Sequence, residues 1–423
     1  MFLGERVRIL YPLLWSRLGR QACRAQTIST VAALARRGHE MTLLMPRRPS
    51  DPPLAPQDLR DYFCVEGDFR LIQRASRWPG EKLLPSLMWL RQVFGDPALD
   101  GTDLLYSRIP AMLAMGGLSP IPFAVDHYRR WPDDLPAIRP LIRRTARRPR
   151  CLGFVLHSDF AAASYRRIGV AEDRILVAHN GADADFEPIG KKTARAELGL
   201  PPDRPIALYA GRINAEKGLD QLLALADLRP EVLFLLVGSE GEGAIERQAA
   251  ARPNVRVAPW AAPDALPAWL QAADILLIPP SRTPLERFRN CVLPMKLFAY
   301  LAAGRAILAP RAPDTAELLG HEETALLVPP DRPEEAAAAL DRLLNDPGLA
   351  ERIGANARRL SAGLTWDARA ERIAGFLQRR QRSAYSSTVV PVSATISGAA
   401  QAPTKGGSAP TCAATVSTPS ATR

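Results

Sequence analysis

The chain has 423 residues, 55 Lys+Arg against 44 Asp+Glu for a formal net charge of +11, and is 47% hydrophobic. That length suits two to three domains of about 100–200 residues each, the apolar fraction excludes a disordered chain, and no apolar run approaches the roughly 20 residues of a membrane span. Scattered cysteines (Cys23, Cys64, Cys151, Cys291, Cys412) with no C-x-x-C, and histidines with none at i,i+4 spacing, suggest neither a disulfide framework nor a metal centre, so a cytoplasmic enzyme without a metal or resident cofactor is expected.

Residues 7–13 (VRILYPL) read as a buried first strand. Glu5, Arg6 and Arg8 lie before or within it and no small-residue cleavage site follows, so it makes a poor signal peptide. Residues 25–37 place Ile28, Val31 and Leu34 at helical spacing and stop at Gly38, a suitable left-handed helix end. Residues 39–46 return as a second strand, which completes a βαβ unit and calls for a parallel sheet. Further strands are expected at 103–107, 123–126, 152–156 and 174–178, with a helix at 159–168. Between them, residues 129–150 hold eight arginines and only two acids, Asp133 and Asp134. Such a stretch is either a solvated basic helix face or a surface drawn to an anionic membrane. Aromatic interleaving is absent, so no nucleic-acid partner is expected.

The pattern restarts at Pro205. Strands are expected at 206–211, 232–238, 255–258, 275–279 and 306–310, and helices at 219–228, 266–272, 294–303 and 333–344. VLFLLVG at 232–238 is continuously apolar, as a strand covered on both faces must be. The expected architecture is therefore α/β: two doubly wound Rossmann-like domains facing a central cleft, with the ligand at the carboxyl ends of the strands. The first domain would span 1–184 and the second 185–365, followed by a terminal helix at 366–383. Residues 384–423 are rich in Ser, Thr, Ala and Pro with Lys405 and Arg423 as their only charges, and should form a disordered tail.

The strongest local motif is YAGRINAEKG, Tyr209 to Gly218. A buried strand ends at Gly211, Arg212 and Lys217 follow, and a helix begins near Gly218. Glycine allows close backbone approach, a helix N-terminus carries partial positive charge, and two cations can neutralise a diphosphate. An ordinary surface loop is the alternative. A second motif, RNCVLPMKLFAYLAAGRAILAP at Arg289 to Pro310, places Pro294 in the first turn of a helix that ends at Gly304. Alone it is a plain strand–helix–strand passage.

Together these segments resemble the retaining glycosyltransferases of family 4, with the GT-B fold, over most of residues 5–380. LHSDFAAASYRRIGVAEDRILVAHNGAD carries the family's Ser…Gly-Val…Asn-Gly-x-Asp passage at Ser158, Gly169, Val170, Asn180, Gly181 and Asp183. AGRINAEKG is similar to the donor-phosphate loop, LPMKLFAYLAAGRAIL to the helix that follows the active-site loop, and WDARAERIAGFL to the terminal helix that crosses back to the first domain.

The resemblance implies transfer of a sugar from a nucleoside diphosphate sugar to a glycan or lipid-linked acceptor, with retention and without a metal. The first domain would bind the acceptor and the second the donor. Gly211, Arg212, Lys217, Val292 and Leu293 would hold the donor phosphates, and Gly238, Ser239, Trp260, Pro294 and Lys296 are further donor-site candidates. Trp260 is otherwise a core or rim residue. His127, in AVDHYRRW after a strand, matches the family's first-domain active-site histidine, although a lone histidine there is more often structural.

One departure from the family is plain. Its two glutamates eight residues apart are replaced by Cys291 and Ala299, and Glu286 sits at the wrong offset to substitute directly. Losing a carboxylate hydrogen bond to a ligand costs about 1.5–3 kcal/mol. This keeps two rivals open: a GT-B pseudoenzyme that only binds, and a GT-B sugar-nucleotide epimerase. Asp183-Ala184-Asp185 matches D-x-D but lies in an interdomain turn, and GSEGEG at 238–243 lacks the glycine placement of a dinucleotide loop.

Overall fold

Seven strands build the first sheet: β1 (Arg8–Pro12), β2 (Glu40–Arg47), β3 (Phe69–Ala75), β4 (Leu104–Ser107), β5 (Phe123–His127), β6 (Cys151–Leu156) and β7 (Ile175–Val177). They lie in the order β3-β2-β1-β4-β5-β6-β7, and every pairing is parallel. A second sheet, also parallel throughout, has the order β10-β9-β8-β11-β12-β13. Its strands are β8 (Ile206–Ala210), β9 (Leu233–Ser239), β10 (Val255–Pro259), β11 (Ile275–Leu277), β12 (Ala306–Pro310) and β13 (Leu326–Val328). The computed structural model describes residues 6–76, 82–182, 189–287 and 293–386. The domain boundary expected at 184/185 and the tail from residue 387 onward lie outside them.

Two strands escape the periodicity argument. In β3, FRLIQRA, arginines and a glutamine interrupt the apolar run, because an edge strand needs only partial cover. β13 is three residues long, too short for any pattern. Pro294 also differs from expectation. It sits one residue before the helix as an extended N-cap with φ −61° and ψ 133°, rather than inside the first turn.

Four helices matter for the cleft: α1 (Ala22–Arg36), α2 (Asp159–Arg167), α3 (Met295–Ala303) and α4 (Trp366–Ser386). α1 buries nine consecutive residues, Gln26 to Leu34, between the first sheet and α4. α4 follows the second domain but packs into the first. Trp366, Ala370, Ile373, Phe376 and Leu377 join the same core as Ile9, Ile28 and Tyr106. Each large apolar side chain buried there contributes about 1.5–3 kcal/mol, so α4 straps the two domains together. Gly153 marks the closeness of that strap: at its φ of +145° a Cβ would meet the Phe376 ring at 2.7 Å.

Candidate active site

Each sheet reverses its strand order once, between β1 and β4 in the first and between β8 and β11 in the second. Such switch points open crevices at the carboxyl ends of strands, and here the two crevices face one another. The cleft between them encloses about 430 Å³, within the range of small-molecule sites. Arg20, Gln26, Arg108, Tyr128, His157 and Asn180 line it from the first domain. From the second come Gly211, Arg212, Lys217, Trp260, Ser281, Leu293, Pro294, Lys296 and Asp314.

The end of β8 is built for close approach. Gly211 has φ +143°, and Gly238 of β9 packs so tightly behind it that a Cβ there would lie 2.3 Å from the Gly211 carbonyl oxygen. The Tyr209 hydroxyl donates to the Arg212 carbonyl at 2.9 Å, and the Asn214 side chain caps the turn Ala215–Lys217 by accepting from the Glu216 amide. Lys296, from the first turn of α3, lays its ammonium 3.3 Å from the centroid of the Tyr209 ring and against Gly211. Burial, then Lys217, pushes the Lys296 amine well below its ordinary range. Lys217 is also pushed down, by burial and then by Arg212. Three basic side chains therefore converge on one glycine, and the single acid on the described cleft wall is Asp314. A multiply charged anion fits such a place.

His127 does not reach the cleft. Its neighbour in sequence, Tyr128, just past the end of β5, does. His127 is 1% exposed, and its Nδ1 accepts from Trp131 Nε1 at 3.0 Å. That bond puts the proton on Nε2, and burial pushes the ring down to about 3. The structure thus places His127 off the cleft wall, bonded to Trp131 through Nδ1 and with Nε2 buried and unpartnered, where a donor-side catalytic role was expected. Between about pH 6.5 and 3 the unfolded chain binds a proton here that the folded chain does not, so stability is full above pH 6.5 and falls as pH drops. The slope per such histidine is about 1.4 kcal/mol per pH unit. Urea melts from pH 7.5 to 5 should show it, and His127→Asn, whose Oδ1 takes the place of Nδ1 as acceptor from Trp131, should remove about one proton from the slope.

The histidine on the cleft wall is His157, at the end of β6. Its Nε2–H donates to Asp126 Oδ1 at 2.6 Å, while Asp126 Oδ2 accepts from Tyr106 at 2.9 Å and from Arg369 of α4 at 3.1 Å. Burial alone would raise the Asp126 carboxyl, but His157 and Arg369 hold it well below the usual range. His157 itself is pushed down by burial. Arg369 also donates to the carbonyls of Ala178 and His179. A charge in the middle of an apolar strand, Asp126 in FAVDH, was the signal for this network.

The other expected residues divide. Gly211, Arg212, Lys217, Leu293, Pro294, Lys296 and Trp260 all line the cleft. Trp260 is covered by the Arg20 guanidinium at 4.3 Å from its ring centroid. Gly238 serves the close packing behind Gly211, and the Ser239 hydroxyl is engaged with Gly241 and Glu246, so neither forms the wall. Val292 and Cys291 lie outside the described residues, as do Asp183 to Asp185. Ala299 packs on the second-domain core, and Glu286 is exposed away from the wall. Among the described residues no group of three His, Cys, Asp or Glu is placed to hold a metal, and no helix is long and apolar enough to cross a membrane.

A carboxylate clasp joins the domains beside the cleft. Glu317 of the second domain accepts from the Asp159 and Phe160 amides at the start of α2, at 2.6 and 3.0 Å, and from His179 at 2.6 Å. A negative charge at a helix N-terminus is stabilising, so the clasp helps to hold the two domains together.

Residues 190–360 match the family model of glycosyl transferases group 1, and residues 25–186 that of glycosyltransferase family 4. A D-inositol 3-phosphate glycosyltransferase of Streptomyces bingchenggensis is 32% identical over 221 residues, 48% of this chain and 47% of that protein. The match thus spans about half the length of the curated relatives. Among solved structures, a glycosyltransferase from Rickettsia africae superposes with a TM-score of 0.68 at 15% identity, over 89% of this chain and 99% of that one. HepE of Anabaena, solved in complex with UDP and glucose, superposes with a TM-score of 0.66 at 15% identity, over 88% of this chain and all of that one, 100%.

Proposed function

The chain belongs to the family 4 glycosyltransferases of the GT-B fold, and on that premise we propose that it moves a sugar from a nucleoside diphosphate sugar to a glycan or lipid-linked acceptor, with retention and without a metal. One observation carries the proposal: Arg212, Lys217 and Lys296 converge on Gly211 in a cleft whose described wall holds a single acid, Asp314. As the bond between the anomeric carbon and the diphosphate oxygen breaks, negative charge grows on the leaving group. Fixed cations in a water-poor cleft stabilise that charge without reorganising. The acceptor hydroxyl attacks from the same face and passes its proton to the departing phosphate oxygen, which preserves the configuration. HepE, bound to UDP and glucose, supports a nucleotide-sugar ligand class.

Calorimetric titration of UDP and GDP into the full chain tests the donor site. Micromolar binding of one of them is expected; binding of neither would leave the pseudoenzyme reading in its place. Free nucleotide and an epimerised sugar, released without acceptor, would instead mark the epimerase.

The acceptor would enter along the first domain. Arg143, Arg144, Arg147 and Arg148 gather beside Pro140 on that domain, a surface suited to the anionic inner membrane face where lipid-linked acceptors for cell-surface polysaccharide or glycolipid synthesis reside. Binding to vesicles containing phosphatidylglycerol should weaken markedly from low salt to 0.5 M. Salt-independent binding would discard this part of the proposal.

A further inference from the structure

Asp314 is unused by the phosphate site, yet it is the one acid on the described cleft wall. It follows β12 and is 8% exposed. Its Oδ1 accepts from the Thr315 amide at 2.9 Å, its own amide also donates to the carboxyl, and no side chain among the described residues does. Burial pushes the carboxyl up to about 6. A carboxylate held only by backbone amides keeps acceptor positions open towards the cleft, where a ligand's hydroxyl groups can donate to it. A diphosphate cannot, because it has the same sign of charge.

The strand order supplies the position. Along β10-β9-β8-β11-β12 the cleft presents an aromatic ring after β10 (Trp260), the cations after β8, and the acid after β12. Adjacent strands lie about 4.8 Å apart, so β12 stands roughly 10 Å from β8, on the scale of one hexose ring with its hydroxyls. Aromatic face, cations and acid follow the same sequence as base, diphosphate and sugar in a nucleoside diphosphate sugar. We propose that Asp314 is the residue that holds the sugar half of the donor, accepting hydrogen bonds from its hydroxyls. This assignment rests on the donor reading above.

Asp314→Asn keeps an oxygen for the Thr315 amide and so preserves the local turn, which a melting curve checks. Calorimetry on the full chain would compare UDP and GDP with their glucose, galactose, mannose and N-acetylglucosamine conjugates. The variant should bind the bare nucleoside diphosphate within about twofold of the native chain and lose about tenfold in affinity for the preferred sugar conjugate, the scale of one charged hydrogen bond. Equal losses for both ligands, or no loss for either, would overturn the assignment. Failure of the native chain to bind any nucleoside diphosphate would instead remove the donor site, and the assignment with it.

Discussion

Asp126→Ala should lower the unfolding free energy of the first domain by about 3–5 kcal/mol, the cost of stranding buried partners of a removed charge. Asp126 is fully buried, and its two oxygens take bonds from His157, Tyr106 and Arg369. Without it the Arg369 guanidinium keeps the Ala178 and His179 carbonyls and the Thr30 hydroxyl but has no counter-charge among its described partners. Because Arg369 sits on α4, the loss spreads to the strap between the domains. The seat of His157 on the cleft wall is loosened by the same change. Urea unfolding followed by tryptophan fluorescence measures this, since Trp366 reports on α4 within the first-domain core. A loss below 1 kcal/mol would show that the network is merely tolerated.

Arg212→Ala should weaken nucleoside diphosphate binding about tenfold to hundredfold, the equivalent of about 1.5–3 kcal/mol for charge-assisted bonds to phosphate. No ion pair or hydrogen bond from the Arg212 side chain occurs among the described residues, so the melting temperature should stay at the native value. That separation of binding from stability distinguishes a ligand-gripping arginine from a structural one. Calorimetry with the preferred nucleotide decides it, and a change of less than about threefold would assign the phosphate to Lys217 and Lys296 alone. The native chain should also take up protons on binding, visible as a dependence of the heat on buffer. An incoming diphosphate supplies the counter-charge that Lys296 lacks and restores its amine towards the charged form.

Most of the strands and the cationic loop on the cleft wall were legible in the linear chain because their determinants are local. A strand, the glycine that ends it and the two cations after it occupy the ten residues from Tyr209 to Gly218, and βαβ handedness turns such units into parallel sheets. The edge strand β3 and the short β13 were not legible, since partial cover and three residues leave no period to read. Neither was the choice between His127 and His157. One ends an apolar strand and the other follows one, and where each side chain points depends on how the sheet packs rather than on the residue type.

The sequence by itself determined two parallel α/β domains and a cationic loop at the mouth of the second. Tertiary structure decided what stands around that loop: Lys296 brought back onto Gly211 by α3, Arg20 laid over Trp260 from the other domain, and Arg369 joined to Asp126 across 243 positions of chain. The physical reason is one of range. Backbone periodicity and turn chemistry act over a few residues, whereas a buried charge finds its partner only when whole helices and sheets have packed, and that packing is written in surfaces rather than in spacing.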